Sequence, residues 1–257
     1  MRGETCIAIA TFFTSVSLIL LIVAHVGEVN TDTVPRKLYM AEVNVTNYGT
    51  AFRNGTGINA PGLYTSNVSA PLGEGNGLRQ LYSWGIYGFC AFLSPGHSQG
   101  TCGNQTFGNG FTPFDVILSD VPEAYVEYTR VLVPDASAFK NSAYLSNLTK
   151  SGFDLLFVGT LAAFVALVTG LIRHKVAFLL ASFSSIIGSL FLMIGATLWS
   201  VAINKAESIN RGVVRGATPL GMVMTTGPQL YLFWVAFVML LVSTVPYTVS
   251  CWSFLKR

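Results

Sequence analysis

Four long apolar segments divide the chain, and each could cross the hydrocarbon core of a membrane as a helix. Such a helix needs about 20 consecutive, mostly apolar residues. The predicted boundaries are helix 6–26, a large loop 27–152, helix 153–172, a short turn 173–175, helix 176–202, a second loop 203–229 and helix 230–255. Pro246 lies inside the fourth segment, and we expect it to kink that helix or end its regular part.

The first apolar segment has a second interpretation, a cleaved signal peptide. Its apolar run from Cys6 to Val26 is longer than the roughly 7–15 residues of a signal peptide. No small-x-small cleavage site follows His25. These two features favour an uncleaved membrane anchor.

Shorter patterns predict the structure of the large loop. Residues 37–46 alternate between apolar and polar, which predicts a strand, and the aromatic-rich residues 78–93 predict a second strand. Glycine and asparagine dominate residues 47–77, which indicates a flexible loop. Residues 122–133 and 135–150 are typical of helices, and the latter is expected to lead into the second membrane helix.

Three features close to the membrane segments carry smaller predictions. The glycine- and proline-rich end of the second loop indicates a turn-filled connection. Asp154 follows Ser151 with the spacing of a capping box, which predicts the start of a helix. His25 is expected to be an interfacial residue rather than a pH sensor.

Composition supports a membrane protein. Apolar residues make up 51% of the chain and charged residues only 11%, whereas soluble domains carry about 25% charged residues. The formal net charge of +3 gives no indication of nucleic-acid binding. No charged residue lies near the middle of an apolar segment, which argues against a transporter or a pore.

Glycosylation sequons and basic residues orient the predicted bundle. All five sequons lie in the large loop, and their acceptors are Asn44, Asn54, Asn67, Asn104 and Asn147. Because such sites are surface sites of secreted chains, the large loop is expected to lie outside the cytosol. The short turn and the tails carry positive charge, which is typical of cytoplasmic segments. Both criteria place both termini in the cytosol.

Small residues recur at helical spacing in the second and third apolar segments. They are Gly159, Ala163, Ala166 and Gly170 in the second, and Ser184, Gly188, Gly195 and Ala196 in the third. Small residues let helix backbones approach closely in lipid. We expect packing within this bundle, with a contact face for another protein as the alternative.

No catalytic, cofactor-binding or metal-binding constellation is evident. The three histidines fall in different predicted compartments, so they cannot form a common site. No phosphate-binding loop or nucleophile motif occurs. A group of four carboxylates is interpreted as a solvated face, with divalent-cation binding as the alternative. These are Asp115, Asp120, Glu123 and Glu127.

The residues before the central cysteine pair resemble the signature of the claudin-like superfamily. In that superfamily a tryptophan and a Gly-Leu-Trp-like triplet precede two disulfide-bonded cysteines. Here the corresponding residues are Trp84, the triplet Gly85-Ile86-Tyr87, Cys90 and Cys102. The resemblance implies a four-transmembrane-helix bundle with a small disulfide-bonded ectodomain containing an antiparallel sheet.

A closer resemblance is to the fungal Sur-seven/PalI family of four-span plasma-membrane proteins. Its basic-aromatic segment is matched by Arg36-Lys37-Leu38-Tyr39, and its Pro/Phe/Asp segment by Phe111-Thr112-Pro113-Phe114-Asp115. The family implies a place in the fungal plasma membrane, often at eisosomes, with roles in domain organisation, endocytosis and cell-wall construction.

The four cysteines divide into two predicted pairs by compartment. Cys90 and Cys102 share the oxidising side, so we expect them to form the only disulfide. Cys6 and Cys251 face the reducing cytosol, where apolar burial is favoured and S-acylation is the alternative.

Two function classes follow from these observations. The first is a non-enzymatic tetraspan protein that organises a membrane domain through contacts with lipids, with itself or other membrane proteins, and with cell-wall material or a wall-synthesis enzyme. The second is an auxiliary subunit of a larger membrane enzyme or channel.

Overall fold

The computed structural model describes residues 3–135, 137–172, 174–214 and 218–255; the side chains at 3–5, 175 and 249–255 are not described. The chain divides into two compact units. We call one the helical unit (Met1–His25, Ser151–Leu198 and Leu230–Arg257) and the other the β-containing unit (Val26–Lys150 and Trp199–Gln229).

Seven α-helices lie within the described residues. They are α1 (Gly3–His25), α2 (Tyr48–Thr56), α3 (Pro113–Asp120), α4 (Glu123–Leu132), α5 (Ser142–Leu171), α6 (Lys175–Ala206) and α7 (Pro228–Leu255). The four long helices, α1, α5, α6 and α7, contain stretches long and apolar enough to span a membrane. The prediction of four membrane helices is confirmed, and the chain is a multi-pass membrane protein.

The small residues of α5 and α6 lie where these helices are in close contact. A Cβ atom added at Gly159 would lie 2.9 Å from the Leu192 side chain, and one at Gly195 would lie 2.8 Å from that of Leu156. The other small residues named above are buried as well: Ala163, Ala166, Gly170, Ser184, Gly188 and Ala196. A larger side chain at Gly159 or Gly195 would therefore push the two helices apart.

Helix α7 is held to α5 and α1 by a tight contact and a hydrogen bond. A Cβ atom added at Gly170 would overlap the hydroxyl oxygen of Tyr247, because the two atoms would be closer than any normal contact. The Ser17 hydroxyl donates a hydrogen bond of 2.8 Å to the backbone carbonyl of Ala236. Such hydrogen bonds contribute to helix association where apolar burial provides little driving force.

The β-containing unit is built on a five-stranded antiparallel sheet. In chain order its strands are β1 (Ala41–Asn44), β2 (Leu81–Trp84), β3 (Phe89–Phe92), β4 (Gly100–Cys102) and β7 (Val223–Thr226). Their spatial order is β4-β3-β2-β1-β7. The short strands β5 (Val213–Val214) and β6 (Thr218–Pro219) form a separate pair. The predicted antiparallel sheet is therefore confirmed.

The strand predictions over residues 37–46 and 78–93 were too long. The first contains only β1, because a 3-10 turn at Pro35–Lys37 precedes it. The second is a hairpin, β2 and β3, closed by a hydrogen bond of 2.9 Å from Gly85 N to the Gly88 carbonyl. Aromatic content identified the strands but not the turn between them.

Helices α2 and α3 lie where no helix was predicted. The supposed flexible loop contains α2, whose residues Tyr48, Ala51 and Phe52 form a buried stripe at helical spacing. Helix α3 begins at Pro113, a residue that suits the first turn of a helix. The helix predicted over 122–133 corresponds to α4.

The membrane-proximal predictions also require correction. The second loop is more than a turn-filled connection, since it supplies β7 to the main sheet. Helix α5 begins at Ser142, so Asp154 lies inside a helix and does not mark its start. Helix α7 runs through Pro246, so the expectation that the helix ends there is wrong, whereas a kink at Pro246 stays a prediction.

Candidate functional site: the two faces of the sheet

One face of the sheet is apolar and is organised around Trp84, the tryptophan of the claudin-like signature. The Trp84 side chain is buried, stacks on Tyr82 with ring centroids 6.2 Å apart, and meets Phe111 edge-on at 5.4 Å. Phe111 in turn contacts Trp199, at 6.1 Å. Such aromatic contacts add stability beyond the buried area. Trp84 therefore has a structural role in this unit.

The Gly85-Ile86-Tyr87 triplet forms the tip of the β2–β3 hairpin. A Cβ on Gly85 would lie 2.8 Å from the Cβ of Glu28 and 2.9 Å from a backbone oxygen, so only glycine fits. Ile86 is fully buried. The backbone carbonyl of Tyr87 accepts a hydrogen bond of 2.8 Å from Thr106 N, and burial raises the pKa of the Tyr87 hydroxyl.

The other face carries a row of polar and sulfur-containing side chains that crosses all five strands. Register places each residue of this polar row opposite the next: Thr225, Glu42, Ser83, Cys90 and Cys102. Directly opposed residues lie on the same face of a sheet. The row therefore joins strands from the two predicted loops.

The predicted disulfide between Cys90 and Cys102 closes one end of the polar row and links β3 to β4. A carboxyl oxygen of Glu28 and the two sulfur atoms lie within 4.8 Å of one another. The sulfurs are bonded to each other and provide no thiolate ligand, so this group is not a metal site. The bond instead fixes β4 to β3, one strand of the hairpin.

Glu28 lies against the polar row and is fully buried. Neither of its carboxyl oxygens has a hydrogen-bond partner of normal geometry. Burial raises the pKa of Glu28 to about 9; the Ser83 hydroxyl opposes this shift, and the charge of Glu42 adds to it. Glu28 is consequently protonated at neutral pH.

A close polar contact between Glu42 and His97 joins the disulfide-closed loop to β1. The Nε2 atom of His97 lies 2.8 Å from a carboxyl oxygen of Glu42. The imidazole ring stacks on Tyr39 and packs edge-on against Phe92. Burial, together with the charge of Glu42, raises the pKa of Tyr39 to about 12.

Backbone strain occurs twice at this polar face. Glu28 and His97 are the described non-glycine residues with positive φ, at 53° and 54°. Left-handed conformations are uncommon outside glycine and persist where the surrounding structure enforces them. Here the backbone N–H of Glu28 donates a hydrogen bond of 3.0 Å to the Pro35 carbonyl, and the side chain of His97 contacts Glu42.

A buried ion pair corrects the prediction of a solvated carboxylate face. Asp120 is almost fully buried, 3.3 Å from an Arg79 guanidinium nitrogen, and it accepts a hydrogen bond of 2.8 Å from the Tyr82 hydroxyl. Burial and the adjacent Asp120 raise the pKa of Tyr82 well above its ordinary value. The other three carboxylates are exposed as predicted: Asp115, Glu123 and Glu127.

The five acceptor asparagines differ in their surroundings. Four are exposed: Asn54, Asn67, Asn104 and Asn147. Asn44 is half-buried and lines a groove of about 340 Å³ beside the polar row.

The remaining two cysteines belong to the helical unit. Cys6 is unpaired and buried, in agreement with the apolar interpretation. The side chain of Cys251, the second residue for which S-acylation was considered, lies outside the described residues.

Sequence patterns were not used to identify Glu28, Glu42, His97 or the Arg79–Asp120 pair as site residues. Alternation along β1 places the Glu42 side chain on the other face of the sheet from the apolar residues of that strand. This pattern could have been used to assign Glu42 to the polar face. Glu28 and Arg79 lie in irregular segments, where periodicity carries no information about burial. Their partners come from distant parts of the chain.

Comparison with known proteins supports the identification of the chain. The model of the SUR7/PalI family matches residues 6–246. No curated protein matches the chain. The match includes all four membrane stretches in large part, the hairpin that carries Trp84, and the disulfide. With its four membrane helices and disulfide-bonded antiparallel sheet, consistent with a claudin-like fold, the chain belongs to the SUR7/PalI family.

Proposed function

We propose that this protein is a non-enzymatic plasma-membrane tetraspan that organises an eisosome-like membrane domain and thereby acts in endocytosis and cell-wall construction. The observation that carries the proposal is the family match over residues 6–246. In this proposal its partners are lipids, other copies or other membrane proteins, and wall material or a wall-synthesis enzyme.

The proposed topology has the β-containing unit outside the cell, N-glycosylated, and both termini in the cytosol. Four of the five acceptor asparagines are exposed, so attached sugars would find room at these sites. A disulfide within this unit also fits the oxidising side of a membrane. The basic residues used for orientation are Arg2, Arg173, Lys175, Lys256 and Arg257.

Contacts with lipid are supported by the outward faces of the long helices. Large apolar side chains are exposed along each helix, and one example from each is Phe12, Phe164, Phe183 and Val245. In water such exposure would promote association, whereas in a bilayer it provides the lipid-facing surface.

A role without catalysis is supported by the way buried polar groups are used. Asp120 pairs with Arg79 and accepts a hydrogen bond from Tyr82, and His97 contacts Glu42. Each pair fixes a loop to the sheet. These interactions stabilise the fold of the unit.

One surface of the β-containing unit favours a second candidate function, an auxiliary subunit of a larger membrane enzyme or channel. A groove of about 620 Å³ lies between α2, α4 and β5. Val131 and Val213 in its wall are 83% and 57% exposed. Exposed apolar side chains grouped in a groove are typical of protein contacts.

Purification in mild detergent at native abundance tests the two candidates. The organising role predicts self-association or a heterogeneous set of partners. One large partner at fixed stoichiometry would instead support the auxiliary role. In that case Val131→Glu should release the partner, whereas the control Glu127→Gln, a change at an already polar position of the same groove, should retain it.

A further inference from the structure

The groove beside the polar row is formed largely by two neighbouring strands. Glu42 and Asn44 of β1 stand opposite Thr225 and Val223 of β7, and all four side chains line the groove. Pro95, from the disulfide-closed loop, adds an apolar wall. The groove of about 340 Å³ lies within the roughly 300–1,000 Å³ range of small-molecule sites.

The groove keeps its shape because the surrounding backbone is fixed. Gly221 has a φ of +75°, and a Cβ there would lie 2.5 Å from backbone atoms of Asn47. At the other side, the contact of 2.8 Å with His97 Nε2 holds the carboxyl group of Glu42 in place. The groove is thus pre-formed by a close backbone contact and by the contact between Glu42 and His97.

A partner strand is not the expected occupant. β7 lies at the edge of the sheet, where unpaired backbone groups could accept another strand. The side chain of Asn210 already occupies this edge: Met224 N donates to its Oδ1 at 2.6 Å, and its Nδ2 donates to the Met224 carbonyl at 2.8 Å.

The chemistry of the groove suits a sugar. Hydroxyl and amide groups of Thr46, Asn47 and Thr225 can exchange hydrogen bonds with sugar hydroxyls, and the Glu42 carboxylate can accept them. Val223, which is 48% exposed, offers an apolar surface for the C–H face of a pyranose ring. A few polar groups on an apolar wall are typical of ligand sites.

The acceptor asparagine itself lies in this groove. Asn44 begins the sequon Asn44-Val45-Thr46, and its Oδ1 accepts a hydrogen bond of 2.9 Å from Thr46 N. This bond fixes the side-chain amide, and Nδ2 is the atom to which an N-linked sugar is attached. The reducing end of such a glycan would therefore start within the groove.

We infer that the groove seats the first N-acetylhexosamine of a glycan attached to Asn44 of the same chain. This inference rests on the proposed placement of the β-containing unit outside the cytosol. The seated sugar contacts β1, which follows the first membrane helix, and β7, which precedes the last. The glycan therefore strengthens the joint between two segments far apart in sequence.

Site-resolved deglycosylation of the full-length protein tests this inference. Protein purified from its host membranes in mild detergent is treated, without denaturation, with an endoglycosidase that cuts between the first two core sugars. Glycopeptide mass spectrometry then follows each site over time. We expect cleavage at Asn44 to be at least about tenfold slower than at the exposed Asn67, and the two rates to become equal after denaturation.

A groove-filling variant supplies the control. In the variant Thr225→Phe, the new phenylalanine favours strands as threonine does, but its aromatic ring fills the groove. It should raise the cleavage rate at Asn44 to that at Asn67 and leave the Asn67 rate unchanged. Amide exchange of Val223–Thr226 should accelerate in Asn44→Gln and stay the same in Asn67→Gln.

The possible outcomes separate the inference from the proposed function. Equal native rates at Asn44 and Asn67, a glycan at Asn67 but none at Asn44, or no response to Thr225→Phe would each overturn the seated glycan alone. A mature protein without glycan at any of the five acceptors would instead overturn the proposed placement.

Discussion

Replacing Glu28 by glutamine should change how stability depends on pH. The side chain is fully buried, its pKa is raised to about 9, and it therefore carries a proton in the folded protein at neutral pH. In the unfolded chain the carboxyl returns to its ordinary value of 4.5 and loses that proton. Glutamine has nearly the same size and does not ionise.

The size of the effect follows from proton linkage. A raised folded-state pKa contributes stability that is fully present below about pH 4.5 and is lost as pH rises toward 9, because the unfolded state then binds fewer protons. Each pKa unit corresponds to about 1.4 kcal/mol. The free energy of unfolding of the wild type should therefore fall by about 3 kcal/mol relative to Glu28→Gln between pH 4.5 and 7, and by about 5 kcal/mol between pH 4.5 and 9.

The assay is denaturant unfolding in detergent at several pH values from 4.5 to 9, followed by tryptophan fluorescence. A difference in the free energy of unfolding that is the same at every pH reports the different packing of the amide and does not affect the test. Glu127→Gln, at a side chain that is 81% exposed, is the control and should retain the wild-type slope. Parallel curves for the wild type and Glu28→Gln would refute the assignment of a buried, protonated carboxyl.

Three further predictions concern the disulfide, the aromatic face and the helix contacts. Cys90→Ser should lower the free energy of unfolding by about 3 kcal/mol, because the loop constraint is lost, and should reduce delivery to the cell surface, measured by surface labelling. Free thiols at Cys90 and Cys102 in the mature wild-type protein would contradict the disulfide. Trp84→Ala should cost about 3–5 kcal/mol and lower the folded amount, measured by size-exclusion chromatography. Gly159→Leu should disrupt the α5–α6 contact and membrane-domain assembly, whereas Val158→Leu, at an exposed position, should not.

The overall class of the fold could be predicted because its signals are local. Apolar length alone identifies the four membrane helices, and compartment alone pairs Cys90 with Cys102. Strand β7 was not predicted because it has only four residues that pair with β1, and these residues lie in a glycine- and proline-rich segment. Helix α2 was not predicted because its apolar stripe is short and its remaining residues are typical of loops.

The candidate site was less predictable because it depends on register between distant segments. Glu42 and Ser83 become neighbours only through the pairing of β1 with β2, and Thr225 joins them from the second loop. Composition suggested a solvated role for Asp120, but its environment is set by Arg79. Burial of a charged group follows from tertiary packing, and a single sequence does not encode it as a local pattern.

The most direct test of the organising role is imaging of eisosome-like patches in cells that lack this protein. We expect a fluorescent marker of the patches to become evenly distributed in the plasma membrane, and we expect re-expression of the wild type to restore the patches while Gly159→Leu does not. Patches that keep their number and stability in the absence of the protein would contradict the organising role.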